Sequence, residues 1–148
     1  MLHGTSRDKM AIERMCYFLM IQRFIELGEG YSDIYEWLEL LKTNEDRFHH
    51  VCIFTSVLKD VKKLSVALIL KPATEGNFMP VYYCREGIEY SSEKTSKRIL
   101  LIEKTLQERN YSPHRLEVKH SSYFAEPALY HQYLTGLLRL HHILPPLS

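Results

Sequence analysis

The sequence has little of what marks the special classes of protein. Its 148 residues include three cysteines, Cys16, Cys52 and Cys84, an odd number with no CxxC spacing. That excludes a disulfide framework and zinc-ribbon patterns, and it fits a reducing compartment. With six glycines and six prolines there is no Gly/Ser linker, low-complexity tract or internal repeat, so one domain is expected. Charge of one sign is also lacking: 19 Lys and Arg stand against 18 Asp and Glu, a net +1. This removes the strongest electrostatic reason to expect nucleic acid or a membrane surface as partner. No run approaches the ~18 apolar residues of a membrane span. The stretch Cys16 to Ile21, six residues long, is too short for the core of a signal peptide. A cytoplasmic protein without a membrane anchor is expected.

What is present is core material. Hydrophobic residues make up 45% and charged residues 25% of the chain. Four of the five methionines, Met1, Met10, Met15 and Met20, fall in the first twenty residues. Residues 1–19 therefore read as a leader or mis-called start, or as a short helix from Ser6. Residues 20–148 read as a single α+β domain.

Alternation from Ile21 to Leu27 predicts a strand closed by Gly28-Glu29-Gly30. Ser32 or Asp33 then caps a helix to about Asn44, with Ile34, Trp37, Leu38 and Leu41 on its apolar side. Strands follow at His50–Leu58, Leu64–Leu70 and Met79–Cys84. The second is apolar throughout, as in a strand covered on both faces. Pro80 puts the third at its start or at an edge, and Gly87 closes it. A helix capped by Ser91 or Ser92 runs to about Asn110, a strand spans Arg115–His120, and Pro127 opens a third helix that ends before Pro145-Pro146. The order β-α-β-β-β-α-β-α implies a mixed, mostly antiparallel sheet of about five strands with three main helices.

The segments MIQRFIELGEGYSDIYE from Met20, KPATEGNFMPVYYCREGI from Lys71 and KTSKR from Lys94 resemble an uncharacterised family of small proteins from Bacillus-like bacteria, over about Met20 to the C-terminus. The resemblance implies no established activity and supplies no catalytic residue. It implies a start near Met20. The methylthioribose kinase name carried by some members finds no support here: a Gly-rich phosphate loop, an H-R-D-like loop and a D-F-G-like aspartate are all missing.

Candidate chemistry is thin. At Gly28, Glu29, Gly30, Ser32 and Asp33, a glycine turn between strand and helix invites a ligand, so a small-ligand sensor is one reading, with Arg85 as a further contact. Asp33 stands where the dinucleotide fingerprint needs its third glycine, and Glu29 and Asp33 would repel a phosphate. Gly30-Tyr31-Ser32 matches the start of a nucleophile elbow, but Ile34 obstructs the turn. Ser32 reads better as a cap. Cys84 beside Arg85 could be activated, although neighbours on a strand point to opposite faces. A small hydrolase or nuclease-like enzyme would use Glu86, Cys84 and His50. The αβββαβ order from Ser32 to His120 matches restriction-endonuclease-like nucleases. Their acids and D/E-x-K lysine are missing from the corresponding strands.

Eight histidines are many for this length. No HExxH or Cys/His pattern gathers them, so no metal and no cofactor is assigned. His49 and His50 should alternate across their strand. His114 and His120 stand too far apart to share an ion, roughly 20 Å on a straight strand. Histidines distant in sequence, such as His50 and His120, are the remaining metal candidate. Basic residues Lys94, Lys97, Arg98 and Lys104 are interleaved with Glu93, Glu103 and Glu108, which favours a solvated face over a nucleic-acid surface. The last helix carries Tyr130, Tyr133, Leu134, Leu137, Leu138 and Leu140 with Ile143 beyond, more apolar arc than one core needs. The leading expectation is a non-catalytic interaction or regulatory domain, with a protein partner or second copy on that helix.

Overall fold

The computed structural model describes residues 22–28, 31–73, 78–90 and 96–144, with the backbone alone at 31, 32, 86, 87 and 90. The leader (residues 1–19), Met20, Glu29, Gly30, Ser91 and Ser92 lie outside the described residues. The elements are β1 (Gln22–Gly28), α1 (Tyr31–Thr43), β2 (Phe48–Leu58), β3 (Val61–Leu70), β4 (Met79–Tyr90), α2 (Lys97–Glu108), β5 (His114–Glu117) and α3 (Pro127–Leu140). The strands form one sheet in the order β1-β4-β3-β2-β5. Antiparallel β2·β3 and β3·β4 provide the longer ladders, and β1·β4 and β2·β5 are parallel. The fold is therefore α+β with a mixed sheet, as the element order implied.

Four strands point one way and β3 alone runs against them. The carboxyl ends of β1, β2, β4 and β5 thus share one edge. Helices cover both faces. Ile34, Trp37, Leu38 and Leu41 of α1 and Ile99, Ile102 and Leu106 of α2 pack with Val51, Ile53, Val66 and Leu68 on one face. Tyr130, Leu134 and Leu138 of α3 pack with Phe54, Ala67, Ile69, Val81 and Tyr83 on the other. The continuous apolar run of β3 follows from its central place: residues Leu64 to Leu70 are all buried.

Several boundaries differ from the sequence expectation. β4 does not stop at Gly87. It reaches Tyr90, with residues 85–87 bulging opposite Ser65 alone between the pairs Leu64↔Ile88 and Val66↔Cys84. A bulge accommodates the glycine that otherwise marks a strand end. Helix α2 begins at Lys97, later than expected, because Ser96 supplies the cap: its side chain accepts from the Arg98 amide at 3.2 Å. The polar turn before β3 is shorter than expected. Lys59 and Asp60, at φ 49° and 65°, form a two-residue hairpin turn whose positive φ pair matches the strand twist. β5 is shorter than Arg115–His120 because, after the Val118 amide donates to the Thr55 carbonyl at 2.9 Å, the chain turns away into a 3-10 turn at Ser121–Tyr123.

Candidate functional site

The glycine turn is built by backbone demands. Gly28 has φ 118°, and a Cβ there would lie 2.6 Å from Asp33 Oδ2. Helix α1 starts at Tyr31, so Ser32 and Asp33 stand inside its first turn, ahead of which Ser32 or Asp33 was expected as the cap. The Asp33 carboxylate there favours the positive helix end. Cys84 lies against this helix, not in a cleft. It is 1% exposed and its Sγ approaches the Asp33 carbonyl at 3.5 Å. Burial, followed by the Asp33 and Glu36 carboxylates, pushes its thiol up to about 12. Burial does the same for Cys52. Neither is a thiolate near neutral pH.

Arg85 belongs to the other face, with α3. Its Nη2 donates to Glu26 Oε1 at 2.6 Å, and His131 Nε2 meets the same oxygen at 2.9 Å. Burial raises the Glu26 carboxyl, but hydrogen bonds from Arg85 and His131 outweigh it and hold the acid below its ordinary value. Phe24 stacks on the His131 ring at 4.6 Å, and the hydroxyls of Tyr83 and Tyr130 meet at 3.1 Å. Arg85 is thus on the opposite face from Gly28 and Asp33's helix, and its carboxylate partner comes from β1. The side chain of Glu86 lies outside the described part of the structure.

His50 also faces α3, away from Cys84. It sits at the amino end of β2, where its Nδ1 is 3.0 Å from His114 Nε2. The expected alternation of His49 and His50 fails there. A register shift between Phe48 and His50 makes His49 an extra residue, and its ring lies 4.2 Å from that of His50. His120 is past the carboxyl end of β5, at the far end of the sheet, so the His50–His120 combination does not form. Among the described residues no group of three His, Cys, Asp or Glu side chains is placed to hold a metal ion.

Burial, then the charges of His49 and His114, lowers His50 to about 4. Its unfolded counterpart takes up a proton near pH 6.5. Stability from this group is therefore complete above pH 6.5 and is lost as the pH falls toward 4. Screening at this half-buried position leaves an expected loss of about 1–2 kcal/mol. Urea unfolding at pH 7 and pH 5 should show the loss, and His50→Gln should flatten it. An unchanged slope in the variant would remove His50 as the cause.

An opening lies at the shared carboxyl edge, beyond β2 and β5. A hollow of about 680 Å³ is lined by Thr55 and Val57 of β2, Lys62 of β3, Glu117 of β5 and the following Val118, Lys119, His120, Tyr123 and Phe124. A second hollow, about 300 Å³, lies on the other side of Phe124, with Arg85, Ser121, Ser122, Glu126 and Tyr130 among its walls. The chain between β5 and α3 separates them. His120 Nδ1 holds this turn by accepting from the Ser122 amide at 3.1 Å and meeting Ser122 Oγ at 2.9 Å. Tyr133 of α3 fixes its approach, its hydroxyl accepting from the Lys119 amide at 3.0 Å. Sequence reading did not single out Lys62, Lys119 or Tyr123. Their convergence needs the parallel pairing of β2 with β5, which leaves no local pattern.

Fold and site together define a three-layer α+β domain with open hollows at the carboxyl ends of its parallel strand pairs. The chain matches the domain of unknown function DUF7147 over residues 20–144 and belongs to that family. No curated protein and no solved structure matches it. No helix among the described residues is long and apolar enough to cross a membrane.

Proposed function

We propose that the chain is a non-catalytic binding domain, regulatory in role, that takes a small ligand in the hollow beyond β2 and β5. One observation carries the reading. The hollow of about 680 Å³ falls within the size range of small-molecule sites, and it combines an apolar wall with charged groups. It also lies beyond the carboxyl ends of the parallel pair β2 and β5. The non-catalytic part rests on the candidate reactive groups. Cys84 is buried and protonated, His50 is turned from it toward His114, and Arg85 is engaged by Glu26.

A titration of the isotope-labelled chain with a fragment library tests this by amide shifts. Hits should move Thr55, Val57 and Lys119 to Phe124 together, with no fragment consumed. Hits confined to other surfaces, or turnover of a bound fragment, would overturn the reading.

A second reading has its own observation. Leu129, Gly136 and Leu140 recur two turns and then one turn apart on α3. Leu129 and Leu140 are exposed, and a Cβ at Gly136 would meet nothing within 4 Å. Most of the remaining apolar arc is consumed by the core: Tyr130, Leu134, Leu138 and Ile143 are buried, with Tyr133 and Leu137 half-buried. A second copy of the chain fits this outer stripe. Sedimentation should then show a dimer at micromolar concentration that Leu140→Lys disperses, and a strict monomer would remove the idea.

A further inference from the structure

We propose that the hollow beyond β2 and β5 selects a small organic anion with a flat ring, an inference that rests on the binding-domain reading above. The first argument is charge. Two lysines from different elements, Lys62 and Lys119, line the hollow against a single carboxylate, Glu117. Among the described residues neither lysine forms an ion pair. The lining of the hollow thus carries an excess of positive charge, two lysines against one carboxylate. An anion entering it meets a net positive lining without displacing an ion-pair partner of either lysine.

The second argument is the wall. Tyr123 is 67% exposed and Val57 48% exposed, and both line the hollow beside Val118 and Phe124. An exposed aromatic ring beside an aliphatic wall gains most from a flat apolar partner, through burial and ring stacking. Thr55 and His120 add short-range polar contacts at the same place. Cations and an apolar wall around one space fit an aryl or heteroaryl phosphate or carboxylate. A neutral ring would leave the lysines unused, and a bare inorganic ion would leave the wall exposed.

Amide-shift titrations of the full chain with phenyl phosphate, phenylacetate, phenol and inorganic phosphate test the proposal. At least one ring-bearing anion should shift Thr55, Val57 and Lys119 to Phe124. Its dissociation constant should rise about tenfold in Lys62→Gln/Lys119→Gln, and likewise in the unaltered chain on going from low to high salt. Phenyl phosphate against phenylacetate distinguishes phosphate from carboxylate. Phenol binding as tightly as the anions, or no effect of both salt and the double variant, would overturn the anion preference while leaving the binding domain standing. Inorganic phosphate matching phenyl phosphate would overturn the ring. Absence of any shift in the hollow with all four probes overturns the inference. Absence with the fragment library as well overturns the binding-domain reading.

Discussion

Trp37→Ala is expected to cost about 3–5 kcal/mol of stability, the largest single loss from the α1 face. The indole is fully buried, packed among Ile34, Leu38 and Leu41 against the sheet. Its Nε1 donates to the Tyr82 carbonyl at 3.0 Å, which ties the helix to β4 by a polar contact as well as by burial. Truncation would therefore leave a cavity and remove a donor at once. Trp37→Phe separates the two contributions. It retains most of the apolar ring and loses the donor, so about 1–3 kcal/mol of the total should remain. Urea midpoints at pH 7 with unchanged slopes give both numbers. A loss below about 1 kcal/mol in Trp37→Ala would mean that α1 does not pack as described.

Gly28→Ala should cost about 2–3 kcal/mol, although it adds one methyl group at a strand end. Two causes act together. The backbone at φ 118° belongs to a region that side chains avoid, and the new Cβ would come within 2.6 Å of Asp33 Oδ2. Asp33→Ala removes the second cause, so Gly28→Ala/Asp33→Ala should recover part of the loss and leave the backbone portion. Thermal and urea unfolding of the three variants check this. Full recovery in the double variant would show that backbone strain contributes nothing. The result also bears on the glycine turn as a ligand site. A stability loss of this size without ligand explains the glycine by the geometry of the chain itself.

Much of the fold was legible because it depends on local period. Ile34, Trp37, Leu38 and Leu41 recur at helical spacing, and they are the residues buried by α1. The unbroken apolar run of β3 announced a strand covered on both faces. The continuation of β4 past Gly87 was less legible, because a bulge and a strand end use the same residue type. The Lys59-Asp60 turn carried no Asn-Gly signal, so its two-residue length was set by pairing of the flanking strands.

The site was legible only in pieces. Arg85 was singled out, but its partner Glu26 lies 59 positions away and His131 is 105 positions from Glu26. His50 was singled out with Cys84 and His120, and it meets His114 instead. The reason is the β2·β5 pairing, which sets Cys52 beside His114 and so brings the two rings together.

Hydrophobic periodicity along the chain determined the helices, the strands and their order, since each side chain's face follows from its own neighbours in sequence. Tertiary structure alone decided which strands run parallel, which polar groups meet and where a hollow opens. Those outcomes depend on pairings between segments tens of residues apart, and such pairings are chosen by the burial of whole faces, which no short stretch of sequence records.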